Sequence, residues 1–197
     1  MSKENLRPGQ AVFVDRDGTL NVDSGYVTSP DEFNLLPGIP EAIARLNVLG
    51  VPVIVITNQS AIGRGLMTQD DLDHIHLRLT SLLQPYDARI DAIYSCPHRP
   101  DTGCVCRKPN IGLLEQARKD YSLDLTQCFF IGDKRSDLEA AMKASIPGIL
   151  VMSSSYAHEA FLAREQGGIS AVYVAENFQQ AVGWIEKQMR LSLEDNP

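Results

Sequence analysis

Short apolar runs alternate along this chain with stretches whose apolar residues recur at helical spacing. Residues 11–14 form a continuous apolar run that stops at Asp15, which predicts a buried strand. Residues 16–37 lack sustained periodicity and carry Gly18, Gly25, Pro30 and Pro37, so they predict a long functional loop. Ile39, Ile43 and Leu46 then fall at helical spacing, predicting a helix that ends near Leu49, before Gly50. The run 51–56 predicts the clearest strand, followed by Thr57-Asn58-Gln59-Ser60. A helix is expected over 68–83, with Thr68 as its N-cap and Asp70 and Asp71 in the first turn, where the helix dipole favours acids. Beyond it the pattern predicts a weaker strand at 92–94, a loop at 96–109 and a helix at 110–121. A strand at 128–131 ends on Gly132-Asp133, and a helix follows at 135–145. Further strands are expected at 148–152 and 171–174, each followed by a helical stretch, with a tail that frays from about Leu191.

Strand and helix in strict alternation imply a central parallel sheet covered on both faces, a three-layer α/β/α architecture in one domain over 1–197. Ligands of such sheets bind beyond the carboxyl ends of the strands. Asp15, Thr57 and Asp133 sit at those ends, and Lys108 lies on a helix-entry loop, so four separate segments deliver polar groups to one edge.

Composition narrows the partners. Hydrophobic residues at 44% and charged residues at 22% exclude general disorder. Acidic residues outnumber basic ones by 25 to 18, a net charge of −7, which disfavours nucleic acid and anionic membranes as partners. Met1 to Gln10 is polar, and no apolar run approaches a membrane span of about 20 residues, so a soluble cytoplasmic protein is expected.

Asp15-Arg16-Asp17-Gly18-Thr19 sets two carboxylates two positions apart. In extended chain they face one way and repel unless a cation joins them or one is protonated. Mg2+ prefers such oxygen ligands and commonly adds substrate phosphate to them. Gly132-Asp133-Lys134-Arg135-Ser136-Asp137 brings further acids to a second strand end. Taken alone, the acid pair reads equally well as a solvated loop. Cys96, His98, Cys104 and Cys106 supply three thiols and an imidazole around a short loop with Pro100 and Gly103. In a reducing compartment that set points to a closed, structural Zn2+ site, the alternatives being unliganded thiols or a Cys104–Cys106 bridge. Three thiolates on zinc leave one net negative charge beside Arg107 and Lys108. The metal is therefore expected to fix the loop that aims those two cations. Cys128, alone in an apolar strand, reads as core.

Asp-x-Asp-Gly-Thr, a strand-end Thr, a Lys before a helix and Gly-Asp-x-x-x-Asp occur in that order over about residues 11–152. Together they resemble the haloacid dehalogenase (HAD) superfamily of phosphatases. The resemblance implies Asp15 as nucleophile through an aspartyl phosphate, and Asp17 as the acid that protonates the leaving alcohol and later deprotonates water. Thr57 and neighbouring amides would hold phosphoryl oxygens, and Lys108 would offset their charge. Asp15, Asp133 and the Asp17 carbonyl would hold Mg2+, and Asp137 would orient Lys108 or a water at the metal. The physical need is plain. At about 4 Å and a dielectric near 20, a carboxylate and one phosphate charge repel by roughly 4 kcal/mol, which a divalent cation reverses.

The Cys-Pro-His loop and Cys-x-Cys-Arg-Lys-Pro resemble a narrower, capless group containing the heptose bisphosphate 7-phosphatases and the histidinol-phosphate phosphatases. Asp23-Ser24-Gly25-Tyr26 and the 58–65 stretch resemble the heptose enzymes. That resemblance implies removal of the 7-phosphate of D-glycero-D-manno-heptose 1,7-bisphosphate, in precursor synthesis for lipopolysaccharide or surface glycans, by a monomer. The implied substrate contacts are Asp23, Ser24, Gly25, Tyr26, Asn58, Gln59 and Ser60, with Arg107 on the distal phosphate, Lys134 on the transferred one, and Arg64 as a further sugar contact. Ala61 stands where the family has Gly, and Gly63 where Ala is common, which would strain a loop that needs positive φ at 61. His74 and His76 read as packing or surface residues. Histidinol phosphate is the alternative substrate. A phospho-acceptor signalling domain and a zinc-loop interaction module are the readings outside this enzyme class.

Overall fold

A computed structural model describes residues 9–194, with backbone only for 192–194. Residues 1–8 and 195–197, where most of the polar start and the end of the tail fall, lie outside the described residues. Six strands form one all-parallel sheet: β1 (Val12–Val14), β2 (Val53–Asn58), β3 (Ala92–Cys96), β4 (Phe129–Gly132), β5 (Gly148–Val151) and β6 (Tyr173–Ala175). Their order is β3-β2-β1-β4-β5-β6. The helices are α1 (Ile39–Val48), α2 (Ser60–Gly63), α3 (Gln69–Leu83), α4 (Gly112–Tyr121), α5 (Arg135–Lys143), α6 (Tyr156–Glu165) and α7 (Phe178–Glu194).

Alternation along each strand sorts the core into two layers. Val12, Val14, Val53, Val55, Ile131 and Ile149 face α1, α3 and α7, burying Ile43, Leu46, Leu72, Ile75 and Val182 against them. Phe13, Ile54, Ile56 and Phe130 point the other way, onto Leu113, Leu114 and Ala117 of α4 and Ala140 and Ala141 of α5. Leu150 meets Ala157 and Ala160 of α6. The three expected layers are therefore present, and Cys128 is buried as core.

Several boundaries move for identifiable reasons. β2 starts at Val53 because Pro52 has no N–H for the ladder, although its carbonyl still accepts from Val12 N at 2.9 Å. It runs on through Thr57 and Asn58 because β3 extends to Cys96 and pairs with both. The helix expected over 135–145 stops at Lys143, and Ser145 takes a positive φ. Thr68 caps α3 as expected, accepting from Asp71 N. The short α2 was not foreseen. It makes Ala61 helical, so the suspected strain at that position is absent. Gly63 is the constrained position instead: a Cβ there would meet the Pro97 carbonyl at 2.7 Å.

Strand order reverses at β1, whose neighbours β2 and β4 begin chains of opposite direction. That is the switch point where sheets of this kind leave a crevice at their carboxyl edge. Asp15 follows β1 and Asp133 follows β4, so the topology brings both acids to that crevice.

Candidate active site

β1 ends at Val14, and the chain turns at once: the Arg16 carbonyl accepts from Leu20 N at 2.8 Å and from Thr19 N and Asn21 N at 3.2 Å. The turn sends the carboxylates of Asp15 and Asp17 to different partners, so the extended geometry that would align them does not persist. Gly18 makes the turn with φ +93°, and a Cβ there would collide with the Asp133 carboxylate.

Asp15, Asp133 and Asp137 converge, each with an oxygen within 4.8 Å of the others, and all three are buried. Lys108 Nζ bridges two of them, at 2.7 Å from Asp15 and 2.8 Å from Asp137, and donates to the Ile56 carbonyl at 2.6 Å. Burial pulls the Lys108 pKa down, but Asp137 and Asp15 push it up further, so the ammonium is held charged. Asp133 receives no such bridge. Burial, then Asp15 and Asp137, push its pKa up to about 7, despite hydroxyl donors from Thr19 at 2.8 Å and from Ser154. Buried carboxylates in this excess fit a hard divalent cation with oxygen ligands. Asp15 and Asp133 would hold it, with Asp137 at the same point.

Asp17 stands apart from that trio. Its Oδ1 accepts from Arg16 Nε and Nη2 at 3.0 and 2.8 Å and from Asn21 Nδ2 at 3.0 Å. Its Oδ2 accepts from Arg16 Nη2 at 2.9 Å and from Gln59 Nε2 at 2.8 Å. Burial raises the Asp17 pKa, but the Arg16 fork, with Asn21 and Gln59, lowers it more, leaving it below the usual carboxylate range. The Asp17 carbonyl, expected on the cation, accepts from Lys134 Nζ at 2.9 Å.

Asp15, Asp17 and Asp137 line a chamber of about 30 Å³ with Thr57, Asn58, Lys108, Lys134 and Ser136. Beside it lies a cavity of about 340 Å³. The two share Asp17, Asn58, Lys134 and Ser136. Of the expected substrate contacts, Asp23, Gly25, Tyr26, Asn58, Gln59, Ser60, Arg107 and Lys134 line the larger cavity. Ser24 is exposed and Arg64 is exposed, and neither lines it. Three of these residues are committed to neighbours. Asn58 clips the Lys108 backbone, donating to its carbonyl at 3.1 Å and accepting from its N–H at 3.0 Å. Gln59 donates to Thr57 Oγ1 at 2.8 Å as well as to Asp17. Asp23 holds Lys134 Nζ at 2.8 Å.

Sequence reasoning passed over Arg16, Ser136 and Tyr156. Arg16 is fully buried, its guanidinium on Asp17 and Gln59 and over the Phe33 ring at 5.8 Å. A cation between two strand-end acids was the available signal. Ser136 opens α5 beside Lys134, and Tyr156 comes from α6, far away in sequence, where no local pattern marks it. His76 is half-buried, and burial, then Arg16, lower its pKa to about 4.

Cys96, His98, Cys104 and Cys106 form the second cluster. Cys106 Sγ lies 3.1 Å from both Cys96 Sγ and His98 Nδ1 and 3.4 Å from Cys104 Sγ; Cys96 Sγ is 3.6 Å from Cys104 Sγ. A disulfide needs about 2.05 Å, so no Cys104–Cys106 bridge exists. Ligands at about 2.3 Å around a tetrahedral Zn2+ stand about 3.7 Å apart, close to this spacing. The four residues fit that ion. Arg107 Nη1 donates to the His98 carbonyl at 3.3 Å, tying the cluster to the cavity.

A HAD-hydrolase-like family model matches residues 105–181. A D-glycero-beta-D-manno-heptose-1,7-bisphosphate 7-phosphatase of Helicobacter pylori is 39% identical over 151 residues, 76% of this chain and 87% of that protein. The enzyme of that name from Pseudomonas aeruginosa is 43% identical over 141 residues, 71% of this chain and 79% of its own. The crystal structure of D,D-heptose 1,7-bisphosphate phosphatase from B. bronchiseptica, complexed with magnesium and phosphate, superposes with a TM-score of 0.85 at 35% identity, covering 91% of this chain and 99% of the other. With identity at that level across most of both chains, on a shared fold that places its acids at the sheet's switch point, this chain belongs to the heptose bisphosphate 7-phosphatase family of HAD-like hydrolases.

Proposed function

We propose that this protein is a Mg2+-dependent phosphomonoesterase that removes the 7-phosphate of D-glycero-D-manno-heptose 1,7-bisphosphate, in precursor synthesis for lipopolysaccharide or surface glycans. The observation that carries the reading is the two-part site. A small chamber holding Asp15, Thr57 and Lys108 adjoins a larger cavity lined by Arg107 and Lys134. A bisphosphate requires such a pair of anion positions, one at the nucleophile and one beyond the sugar.

Asp15 attacks phosphorus, the bond to the leaving oxygen breaks, and Asp17 gives that oxygen its proton. Asp17 then takes a proton from the water that attacks the aspartyl phosphate, releasing inorganic phosphate and restoring Asp15. Arg16, Asn21 and Gln59 favour the ionised form of Asp17, the form the second step requires; for the first step Asp17 takes up a proton from solvent as the anionic phosphate enters beside it and raises its pKa. Thr57 and Lys108 meet the phosphoryl oxygens, and Asp137 and Asn58 keep Lys108 in place. Mg2+, when bound by Asp15, Asp133 and the Asp17 carbonyl, neutralises the charge that nucleophile and phosphate share. Cys96, His98, Cys104 and Cys106 would hold Zn2+, which would fix the loop that carries Arg107.

The names of the relatives favour the heptose over histidinol phosphate. We read the whole chain as a single catalytic domain acting as a cytoplasmic monomer, without nucleic-acid or membrane partners. The acidic net charge supports the last point, and among the described residues no helix is long and apolar enough to cross a membrane. The test is phosphate release from both anomers of the heptose bisphosphate, other phosphosugars and histidinol phosphate, with and without Mg2+. A higher kcat/KM on a heptose bisphosphate, and dependence on Mg2+, are expected. Preference for histidinol phosphate would overturn the substrate assignment.

A further inference from the structure

Most residues that line the larger cavity carry polar side chains. A sugar has hydroxyl edges, which such a lining suits, but also C–H faces, which it does not. Gly25 has no side chain and Val27 is buried, so beside the aliphatic stems of Arg107 and Lys134 the apolar surface comes from the rings of Tyr26 and Tyr156, residues 45% and 48% exposed. Tyr26 belongs to the long loop after β1. Tyr156 comes from the opposite side of the sequence, at the first residue of α6.

Three contacts hold Tyr156 against the catalytic edge. Its backbone N–H donates to Ser154 Oγ at 3.2 Å, and the Ser154 hydroxyl donates in turn to the Asp133 carboxylate. The neighbouring Ser153 hydroxyl donates to the Gly18 carbonyl at 2.5 Å. The Lys134 ammonium sits over the ring, 5.1 Å from its centroid, while bonding the Asp17 carbonyl and Asp23. The ring is thus held beside Lys134, in the larger cavity and outside the chamber, where it faces the sugar ring that begins two carbons beyond the transferred phosphate. A fixed, half-exposed ring in a polar cavity buries C–H surface at little entropic cost.

We propose that Tyr156 is a specificity-determining residue, its ring forming the platform on which a cyclic sugar is distinguished from an acyclic phosphate ester. The inference rests on the phosphosugar reading given above and adds a residue to it. The Tyr156 hydroxyl has no part in it.

The test measures kcat and KM for wild type, Tyr156→Phe and Tyr156→Ala on the heptose bisphosphate and on glycerol 3-phosphate. The ratio of the two kcat/KM values falls about 5- to 10-fold in Tyr156→Ala, mainly through KM for the sugar, and stays within about twofold in Tyr156→Phe. Tyr156→Gln, of similar length, gives the same loss and serves if the alanine variant folds poorly. An unchanged ratio in both, or equal damage from Phe and Ala, overturns the proposal. If wild type prefers another ring phosphosugar, the heptose assignment fails alone and the same ratio is taken on that sugar. If it favours no ring sugar over the acyclic ester, both fall.

Discussion

The acidic cluster hangs from the ends of β1 and β4 in the buried interior, whereas the cysteine cluster lies at the end of β3 and on the loop from there to α4, with His98 exposed. The sheet holds Asp15 and Asp133 together whether or not a cation joins them, because hydrogen-bonded neighbouring strands fix where both chains emerge. The result is electrostatic tension: Asp133 is driven to a pKa of about 7 by burial and by Asp15 and Asp137. Of the cysteine cluster only Cys96, the last residue of β3, is held by the ladder; His98, Cys104 and Cys106 lie on the loop beyond it. One short turn at Pro100–Thr102 and a few bonds, such as Asn110 Nδ2 to the Cys104 carbonyl at 2.7 Å, join its ligands. There the four side chains themselves supply the cross-link once an ion binds. One centre is stabilised by the fold and strains it; the other stabilises its own surroundings. Reactive groups belong in the first kind, where geometry is set beforehand, and supports in the second.

Three substitutions sharpen that contrast, and the largest effect is chemical. Asp15→Asn removes the nucleophile and leaves the sheet and the cysteine cluster in place, so kcat falls by about 10⁴-fold or more while the protein stays folded and zinc content holds. Phosphate-release assays check this, and turnover near the wild-type level excludes a covalent role for Asp15.

Cys106→Ser acts on the other centre. Zinc is lost, Tm drops by about 5–10 °C, and KM rises about 10-fold as the loop carrying Arg107 loosens. Elemental analysis, thermal melts and kinetics read these together. Native protein without zinc, or a variant that melts like wild type, removes the supporting role of the cluster.

The smallest effect has the opposite sign. Asp133 has an ordinary value of 3.8 and a folded value of about 7, so between these the folded protein binds the extra proton. Its contribution to stability is complete below 3.8 and is lost as pH rises through about 7. Asp133→Asn should therefore raise the Tm of metal-free protein by about 2–4 °C near pH 8, by about half as much near pH 5.5, and not at all below 3.8. It should also abolish the stabilisation by Mg2+. A variant less stable than wild type at pH 8 without metal contradicts the tension described above.

Much of the site was legible in the chain. Asp15, Thr57 and Asp133 announce themselves as polar residues that end apolar runs, and the Thr68 cap and the Cys96–Cys106 spacing are local patterns. What the chain alone does not show is how some groups are held. Asn58 and Gln59 were expected to touch substrate, yet their side chains are taken up by Lys108, Arg16, Asp17 and Thr57. Those bonds follow from how the turn after β1, α2 and the loop before α4 pack, which no stretch of ten residues encodes.

By itself, the amino-acid order determined the alternation of strands and helices, the chemistry at each strand end and the four members of the cysteine cluster. Periodicity, capping and side-chain chemistry act over a few residues, so they survive in a one-dimensional reading. Only the tertiary structure decided that Arg16 is buried on Asp17, that Lys108 bonds Asp15 as well as Asp137, and that Ser154, just before α6, and Tyr156, its first residue, reach the site. Most of these contacts join segments far apart in the chain, and all depend on packing and register, which are global properties of the fold.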